Sequence, residues 1–466
     1  MQHKTTIQAE LAAFLKREGK TINQFAGISG VNSGTLSSII NGNRPIAMQQ
    51  LDRITSGMGL PEGAFYELYI DECVVHSTPD WRRLGPFLQR CAELDKLECI
   101  RQVVQIIMDN ITYAPVLFET AEEFYRQGKL QAAALLYEGV ADSEKYQHSE
   151  RLALCQYRLF TIRTGSDPEA DFRAATRFEY FVERLDESDQ LDALQGLAEI
   201  YLSLQHWDKI RLLSEELYHK AAIQYENMQH VPRRQEERKK PLRPLCYYIL
   251  YAHWLQSVVC IEQGEYEQAL YYVSRYSEMG WITEDSAAVR EIREQFARRG
   301  EIEACMLRLL CGGQELLPAY VEYIGTAELG LLTGMLRLVE AANRFRWRID
   351  ELLTRFQPQL ERLRLAGEEQ QPVSAAADTA KYPALLYELA LYYFTTDRQE
   401  QGVASLFHSL EAAAVLETED SVLRSVRLFE EYRGAASAAD QEYYKQLINR
   451  LQRSYAGRQA RAAGRL

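Results

Sequence analysis

Ser33, Thr35, Ser37 and Ser38 put four hydroxyls within one short stretch, with Gly34 between the first two. Asn32 precedes them, and Asn41, Asn43 and Arg44 follow. Hydroxyls and amides both donate and accept hydrogen bonds, and Arg adds a planar cationic fork. Such a set serves recognition of a polar surface, not bond making. Covalent and metal chemistry find no matching pattern elsewhere. There is no G-x-x-x-x-G-K-[ST] phosphate loop, no G-x-S-x-G and no H-E-x-x-H. The eight Cys form no C-x-x-C pair and read as reduced residues of an apolar core. No enzyme activity, cofactor or metal is expected.

The elements that would hold this polar set are helices. Ile7, Leu11, Phe14 and Leu15 form one apolar stripe over residues 7–18, which Gly19 ends. Thr21 suits the N-cap of a second helix carrying Phe25 and Ala26, and Gly27 and Gly30 bracket the turn after it. Asn32 suits the cap of a third helix reaching Ile40, with Leu36 and Ile39 inward and Asn41-Gly42 at its end. A fourth helix carries Leu51, Ile54 and Met58, and a fifth follows Pro61 with Phe65 and Leu68.

The run G-V-N-S-G-T-L-S-S-I-I-N-G-N-R-P, followed by a helix ending near G-L-P, resembles the lambda-repressor-type helix-turn-helix family. The resemblance implies that the third helix enters the major groove and that the loop after it touches phosphates. Carried over by position, Ser33, Gly34, Thr35, Ser37 and Ser38 face base edges. Asn41, Asn43 and Arg44 lie against the backbone, and Thr21 anchors the second helix. Two features depart from the family. Ile22 stands where Gln is common, and the reading helix lacks Arg, Lys and Gln. Specificity then leans on DNA shape, on Asn32 or on dimer spacing. Ile40, apolar where an acid is usual, is expected to pack on the next domain.

This module is a small part of a 466-residue chain of net charge −13. Residues 1–70 hold six Lys/Arg against five Asp/Glu, so +1, and the remainder carries −14. That balance excludes a nucleic-acid platform spread over the whole surface. The first residues form no apolar signal, and no apolar run reaches about 18 residues. A cytoplasmic protein without membrane contact is expected.

From residue 83 onward the pattern is helical, and a fragment recurs: helix, polar-Gly-polar turn, then a helix bearing Ala and aromatics. It stands at 124–137 (FYRQGKLQAAALLY) and 260–273 (CIEQGEYEQALYYV). It is degraded at 201–214 and recurs at 392–407, with Gly402 at the small-residue position. A weaker copy is read at 296–309. The fragment resembles the tetratricopeptide repeat, in which small residues let paired helices approach and aromatics fill the gaps. The expected fold is all-α: the lambda-repressor-like module, then an irregular tetratricopeptide-like α-solenoid. The expected divisions are the module at 1–70, a linker at 71–82, a superhelix at 83–365 and a linker-like loop at 366–382. C-terminal helical repeats that serve dimerisation follow at 383–455, with a frayed basic tail at 456–466. A charged loop at 228–244 reads as a solvated crossover between helices, or as a contact to DNA or to an acidic partner.

As architecture, the combination resembles the peptide-pheromone-sensing regulators of Gram-positive bacteria, of the Rgg/PlcR/NprR/PrgX type, and the similar arbitrium-type receptors of phages. The resemblance implies a homodimer on a near-palindromic operator in double-stranded DNA, switched by a short signalling peptide in a concave groove. In tetratricopeptide repeats the first helix of each pair lines the inside. That register projects Phe118, Glu122 and Tyr125, then Gln195, Glu199 and Leu202, then Tyr251, Trp254 and Val258, then Tyr387, Leu391 and Phe394. Asn343 is the candidate for gripping peptide backbone, since an amide both donates and accepts. Packing between helices is the competing role for each aromatic. The alternative function is a scaffold or phosphorelay-modulating protein that acts by protein docking, with a vestigial N-terminal module.

Overall fold

The computed structural model describes residues 6–72, 80–147, 149–165, 167–230, 239–326, 329–368, 381–416 and 419–463. Cys73, most of the 71–82 linker, the core of the charged loop (231–238) and most of the 366–382 segment lie outside the described residues. Among the described residues every regular element is a helix. No helix among them is long and apolar enough to cross a membrane. The chain divides into two compact units, 1–200 and 201–466.

The first unit opens with α1 (Ile7–Arg17), α2 (Ile22–Ser29), α3 (Ser33–Ile40), α4 (Met48–Gly57) and α5 (Tyr66–Ile70). These five helices lie where the sequence pattern places them. Then come α6 (Trp81–Glu93), α7 (Leu97–Ile107), α8 (Ala114–Arg126), α9 (Leu130–Ser143), α10 (Glu150–Arg163) and α11 (Pro168–Glu179). α12 (Glu187–Ser203) carries the division between the units. A single apolar core runs from Ile7 and Phe25 through Phe87 and Ile100 to Tyr137 and Leu159. The N-terminal module therefore shares its interior with the helices that follow it. Ile40, half-buried, packs against this core.

The second unit holds α13 (Trp207–His230), α14 (Leu245–Glu262), α15 (Tyr266–Ser277), α16 (Ala287–Leu310), α17 (Leu317–Tyr323), α18 (Leu331–Phe345) and α19 (Asp350–Glu368). It ends with α20 (Lys381–Thr395), α21 (Gln399–Val415), α22 (Glu419–Glu431) and α23 (Ala438–Ala463). The backbone of α23 continues through most of the segment expected to fray. Most close packing is between helices adjacent or next-but-one in sequence, such as α8–α9, α14–α15 and α20–α21 beside α7–α9 and α18–α20, as in an α-solenoid.

One turn recurs in both units and explains the repeat. Gly128 and Gly264 take left-handed backbone angles, φ 75° and 76°, and so do Asp95 (54°), Gln205 (57°) and Asp397 (60°). The next N–H closes the helix end each time. Lys129 N–H reaches Phe124 O at 2.9 Å, Glu265 N–H reaches Cys260 O at 2.8 Å, and Lys96 N–H reaches Cys91 O at 2.8 Å. His206 and Arg398 do the same to Tyr201 and Tyr393, both at 2.9 Å. Five helix hairpins thus share one Schellman-type reversal. Five residues after the left-handed position stand Ala133, Ala269 and Gly402, all buried. A Cβ on Gly402 would lie 2.7 Å from the Phe394 ring, which fixes how closely α20 and α21 approach. The α6–α7 hairpin is a member of this series that the Gly-based pattern misses, because Asp95 occupies the glycine position.

The copy read at 296–309 is overturned. Gly300 sits inside the unbroken helix α16 and makes no turn. A Cβ there would lie 2.1 Å from Ser277 Oγ and 3.2 Å from the Tyr276 ring. Gly300 serves close approach of α15 and α16, a use of glycine that looks the same in sequence as a turn.

Candidate functional site

The polar set of the opening paragraph lies on and just after α3. Thr21 caps α2: its hydroxyl accepts from Gln24 N–H (3.3 Å), and the Gln24 side chain accepts from Thr21 N–H (2.8 Å). This reciprocal box uses Gln24, three residues on from the cap. Phe25 enters the core edge-on to Phe14, with 5.8 Å between ring centres. Ser29 donates to Phe25 O (2.9 Å), and Arg53 on α4 donates to Gly30 O (3.3 Å), which ties α4 to the turn. Asn32 caps α3 by accepting from Gly34 N–H at 2.9 Å. The cap uses the Asn32 carbonyl oxygen, not its NH2 group.

Leu36 and Ile39 are fully buried, so α3 is pinned by its apolar face. Ser33, Thr35, Ser37 and Ser38 remain half-exposed, and Gly34, Asn41, Asn43 and Arg44 are exposed. Ser38 donates to Gly34 O within its own helix (2.9 Å) and keeps its lone pairs. Asn43 N–H reaches back to Ser38 O (2.9 Å), holding the segment after α3 against the helix end. All members of the N-terminal candidate set are therefore at least partly accessible.

The module rests on α6. Arg90 reaches Asp52 on α4 (3.1 Å), Glu62 (3.4 Å) and Glu93 (2.6 Å). Tyr66 donates to the same Asp52 at 3.0 Å, and its burial beside that carboxylate pushes the phenol well above its ordinary value. Tyr66 and Tyr69 close on Phe87, with 5.2 and 5.3 Å between ring centres.

The residues projected to line a groove form separate clusters. On α8, Glu122 receives both Arg158 Nε (2.9 Å) and Nη2 (3.1 Å) from α10, and Tyr137 OH (2.6 Å) from α9. Phe118 and Tyr125 pack edge-on to the Tyr137 ring, and Arg158 lies 4.8 Å over Tyr125. This trio binds three helices to one another. On α12, Gln195 donates to the exposed Glu199 at 2.8 Å, and Leu202 is half-buried.

On α14 the projection yields a continuous feature. Tyr251 stacks on Tyr247 (5.5 Å, 13°) and leans on Trp254 (5.3 Å), with Val258 one turn further along the same helical face. Arg243 lies 4.6 Å over Tyr247, and Arg299 from α16 lies 4.6 Å over Trp254. The result is an aromatic ridge with a guanidinium at each end. Under it, Glu303 accepts from Trp254 Nε1 (3.0 Å), Ser257 Oγ (3.3 Å) and Tyr276 OH (2.7 Å). Burial pushes the Glu303 carboxyl up, against those hydrogen bonds and Arg299, which pull it down. Tyr247, Arg299 and Glu303 were absent from the sequence-based set. Tyr247 was legible, four residues before Tyr251; the two α16 residues were not.

Asn343 on α18 is committed. Its NH2 donates to Glu388 O and to Glu388 Oε2, both at 2.8 Å, and Arg424 holds the other oxygen of that carboxylate (3.2 Å). The Asn343 carbonyl oxygen is buried without a protein partner. Gripping a peptide backbone with this amide would require Glu388 to yield. On α20, Arg424 covers Tyr387 (4.5 Å), Leu391 packs on the local core, and buried Phe394 stacks on Tyr432 (4.4 Å, 8°).

A cleft of about 500 Å³ lies among α7, α9 and the end of α10. Leu97, Ala134, Leu135 and Ile162 supply its apolar lining, and Arg101 and Arg163 are among its charged residues. None of the projected residues lines it.

No family model matches the chain, and no curated protein matches it. Among solved structures, one match is described as a circular tandem repeat protein with novel repeat topology and enhanced subunit contact surfaces. It covers 96% of this chain and 99% of that one, at 14% identity and a TM-score of 0.16. A likeness at that score carries no argument, so the all-α assignment rests on the helices themselves.

Proposed function

We propose that the chain is a DNA-binding regulator that acts as a homodimer and responds to a short peptide held by its helical repeats. The observation that carries the reading is the division of α3. Its apolar residues Leu36 and Ile39 are consumed by the core, while Ser33, Thr35, Ser37 and Ser38 stay accessible beside exposed Asn41, Asn43 and Arg44. Hydroxyls suit base edges, and Asn and Arg suit phosphate oxygens. With no Arg, Lys or Gln on α3, discrimination comes from duplex shape and from the spacing of two half-sites. The α14 ridge supports the peptide part of the reading. Tyr251 is buried, but its half-exposed neighbours Tyr247 and Trp254 fit apolar side chains, and Arg243 and Arg299 fit a carboxylate.

The experiment is selection of bound fragments from a genomic DNA library by the full chain, with and without Ser33→Glu/Thr35→Glu. Sequence-specific retention lost in the variant, with oligomeric state unchanged, is the expected outcome. Unchanged retention overturns the assignment of α3. Capture of a protein partner with no DNA retention favours the docking alternative.

A further inference from the structure

α7 and α9 are pressed together where Gly139 meets Val104: a Cβ on Gly139 would lie 2.2 Å from Val104 Cγ1. Before that point in both helices they leave the cleft of about 500 Å³, which the end of α10 closes. Leu97, Leu135 and Ile162 are half-buried around it, and Ala134 contributes only a methyl group. Three large apolar side chains thus keep part of their surface on an open cavity instead of in the core.

The charge of the cleft is opposite to that of the chain. Two guanidiniums, Arg101 and Arg163, face one carboxylate, Glu138, in the lining, whereas the whole chain carries −13. Glu138 takes Nη2 of Arg163 and leaves the rest of that fork without a protein partner among the described residues. Arg101 meets Glu98 at 3.4 Å, with 51% and 70% of the two side chains exposed. A pair so exposed is worth little, so Arg101 turns to another anion at little cost. Leu97 and Gln131, both in the lining, stand in the first turns of α7 and α9. The caps of these helices, Lys96 and Lys129, make no side-chain cap bond. Unsatisfied first-turn N–H groups and two positive helix ends therefore reinforce the guanidiniums.

We infer that this cleft binds a small amphipathic carboxylate, a medium-chain aliphatic acid. Its volume falls within the range of small-ligand sites, about 300–1,000 Å³. The single excess positive charge of the lining matches a monoanionic head, and a guanidinium fork matches a planar carboxylate. The hydrocarbon covers Leu97, Ala134, Leu135 and Ile162. A phosphate ion leaves those walls wet, and a neutral hydrocarbon gains nothing from the arginines. α7 also packs on α5, the last helix of the N-terminal module, so the ligand lies one helix away from that module.

The test is isothermal titration of the full chain with octanoate and decanoate below their micelle concentrations, with decanol and propionate as controls. Saturable binding of one decanoate per chain is expected, several-fold tighter than octanoate and tighter than either control. Ala134→Leu fills the floor of the cleft and should abolish binding. Arg101→Gln/Arg163→Gln should weaken decanoate by about tenfold or more and leave decanol unchanged. Should Ala134→Leu fail to fold, the exposed arginine pair decides alone. No saturable decanoate binding, equal affinity for decanol, or binding that neither change affects overturns the proposal. So does binding lost only in Arg243→Gln/Arg299→Gln, which would put the ligand on the α14 ridge.

Discussion

Arg90 on α6 and Asp52 on α4 meet at 3.1 Å, and the same Asp52 carboxylate accepts the Tyr66 hydroxyl at 3.0 Å. One aspartate thus satisfies a guanidinium from the repeat region and a phenol from the last helix of the module. Both ion-pair partners retain more than a quarter of their side-chain exposure, which weakens the Coulombic part. The cost of losing Asp52 lies mainly in the buried Tyr66 side chain and the half-buried Arg90 left behind. Asp52→Ala should lower unfolding stability by about 1–2 kcal/mol. Tyr66→Phe alone should cost less, since it removes the donor along with the need for it. Urea denaturation of the two variants checks the order.

Glu303 joins three helices, with Trp254 and Ser257 on α14 and Tyr276 on α15 donating to its carboxylate. Glu303→Ala leaves these donors unpaired and should destabilise by roughly 2–4 kcal/mol. Burial raises the folded pKa of Glu303 above the unfolded value of about 4.3. The sign follows: its contribution is fully present below the unfolded pKa and is lost as pH rises through the folded one. The stability advantage of wild type over Glu303→Gln should therefore shrink as pH rises above about 4.3. A difference that grows with pH would refute the burial argument.

The shared hairpin reversal makes a prediction about backbone strain. Gln205 holds φ 57° and is exposed, while Gly264 holds φ 76° at the equivalent position. A left-handed non-glycine residue costs on the order of 1 kcal/mol, partly offset by the larger entropy that glycine loses on folding. Gln205→Gly should stabilise by a few tenths to about 1 kcal/mol, and Gly264→Ala should destabilise by about 1 kcal/mol. Thermal or chemical denaturation gives both signs.

Gly300 supplies a steric counterpart. Ser277 Oγ is held by its bond to Val273 O (2.7 Å), so it cannot swing away freely from a new Cβ at position 300. Gly300→Ala should cost about 1–3 kcal/mol by overpacking, despite the higher helix propensity of alanine. Adding Ser277→Gly should recover much of the loss. Equal stability of the single and double variants would show that the α15–α16 contact relaxes by another route.

Local physics wrote much of this molecule into its residue order. Thr21 and Asn32 cap the helices they were expected to cap, because a cap satisfies N–H groups two or three residues away. Leu36 and Ile39 turn inward because their spacing matches the helical period. Gly128 and Gly264 mark hairpins because glycine tolerates the left-handed region. Tertiary structure decided what each polar side chain and each remaining glycine is used for. Glu122 is taken by Arg158, Asn343 by Glu388, and Glu303 by two other helices; none of these pairings has a local sequence signal. Asp95 makes a left-handed hairpin turn that no glycine marks in the sequence, whereas Gly300 makes none. The period of a helix tells which face is apolar. It does not tell which distant helix covers that face, and that choice determines whether a polar group is spent on packing or left to meet a partner.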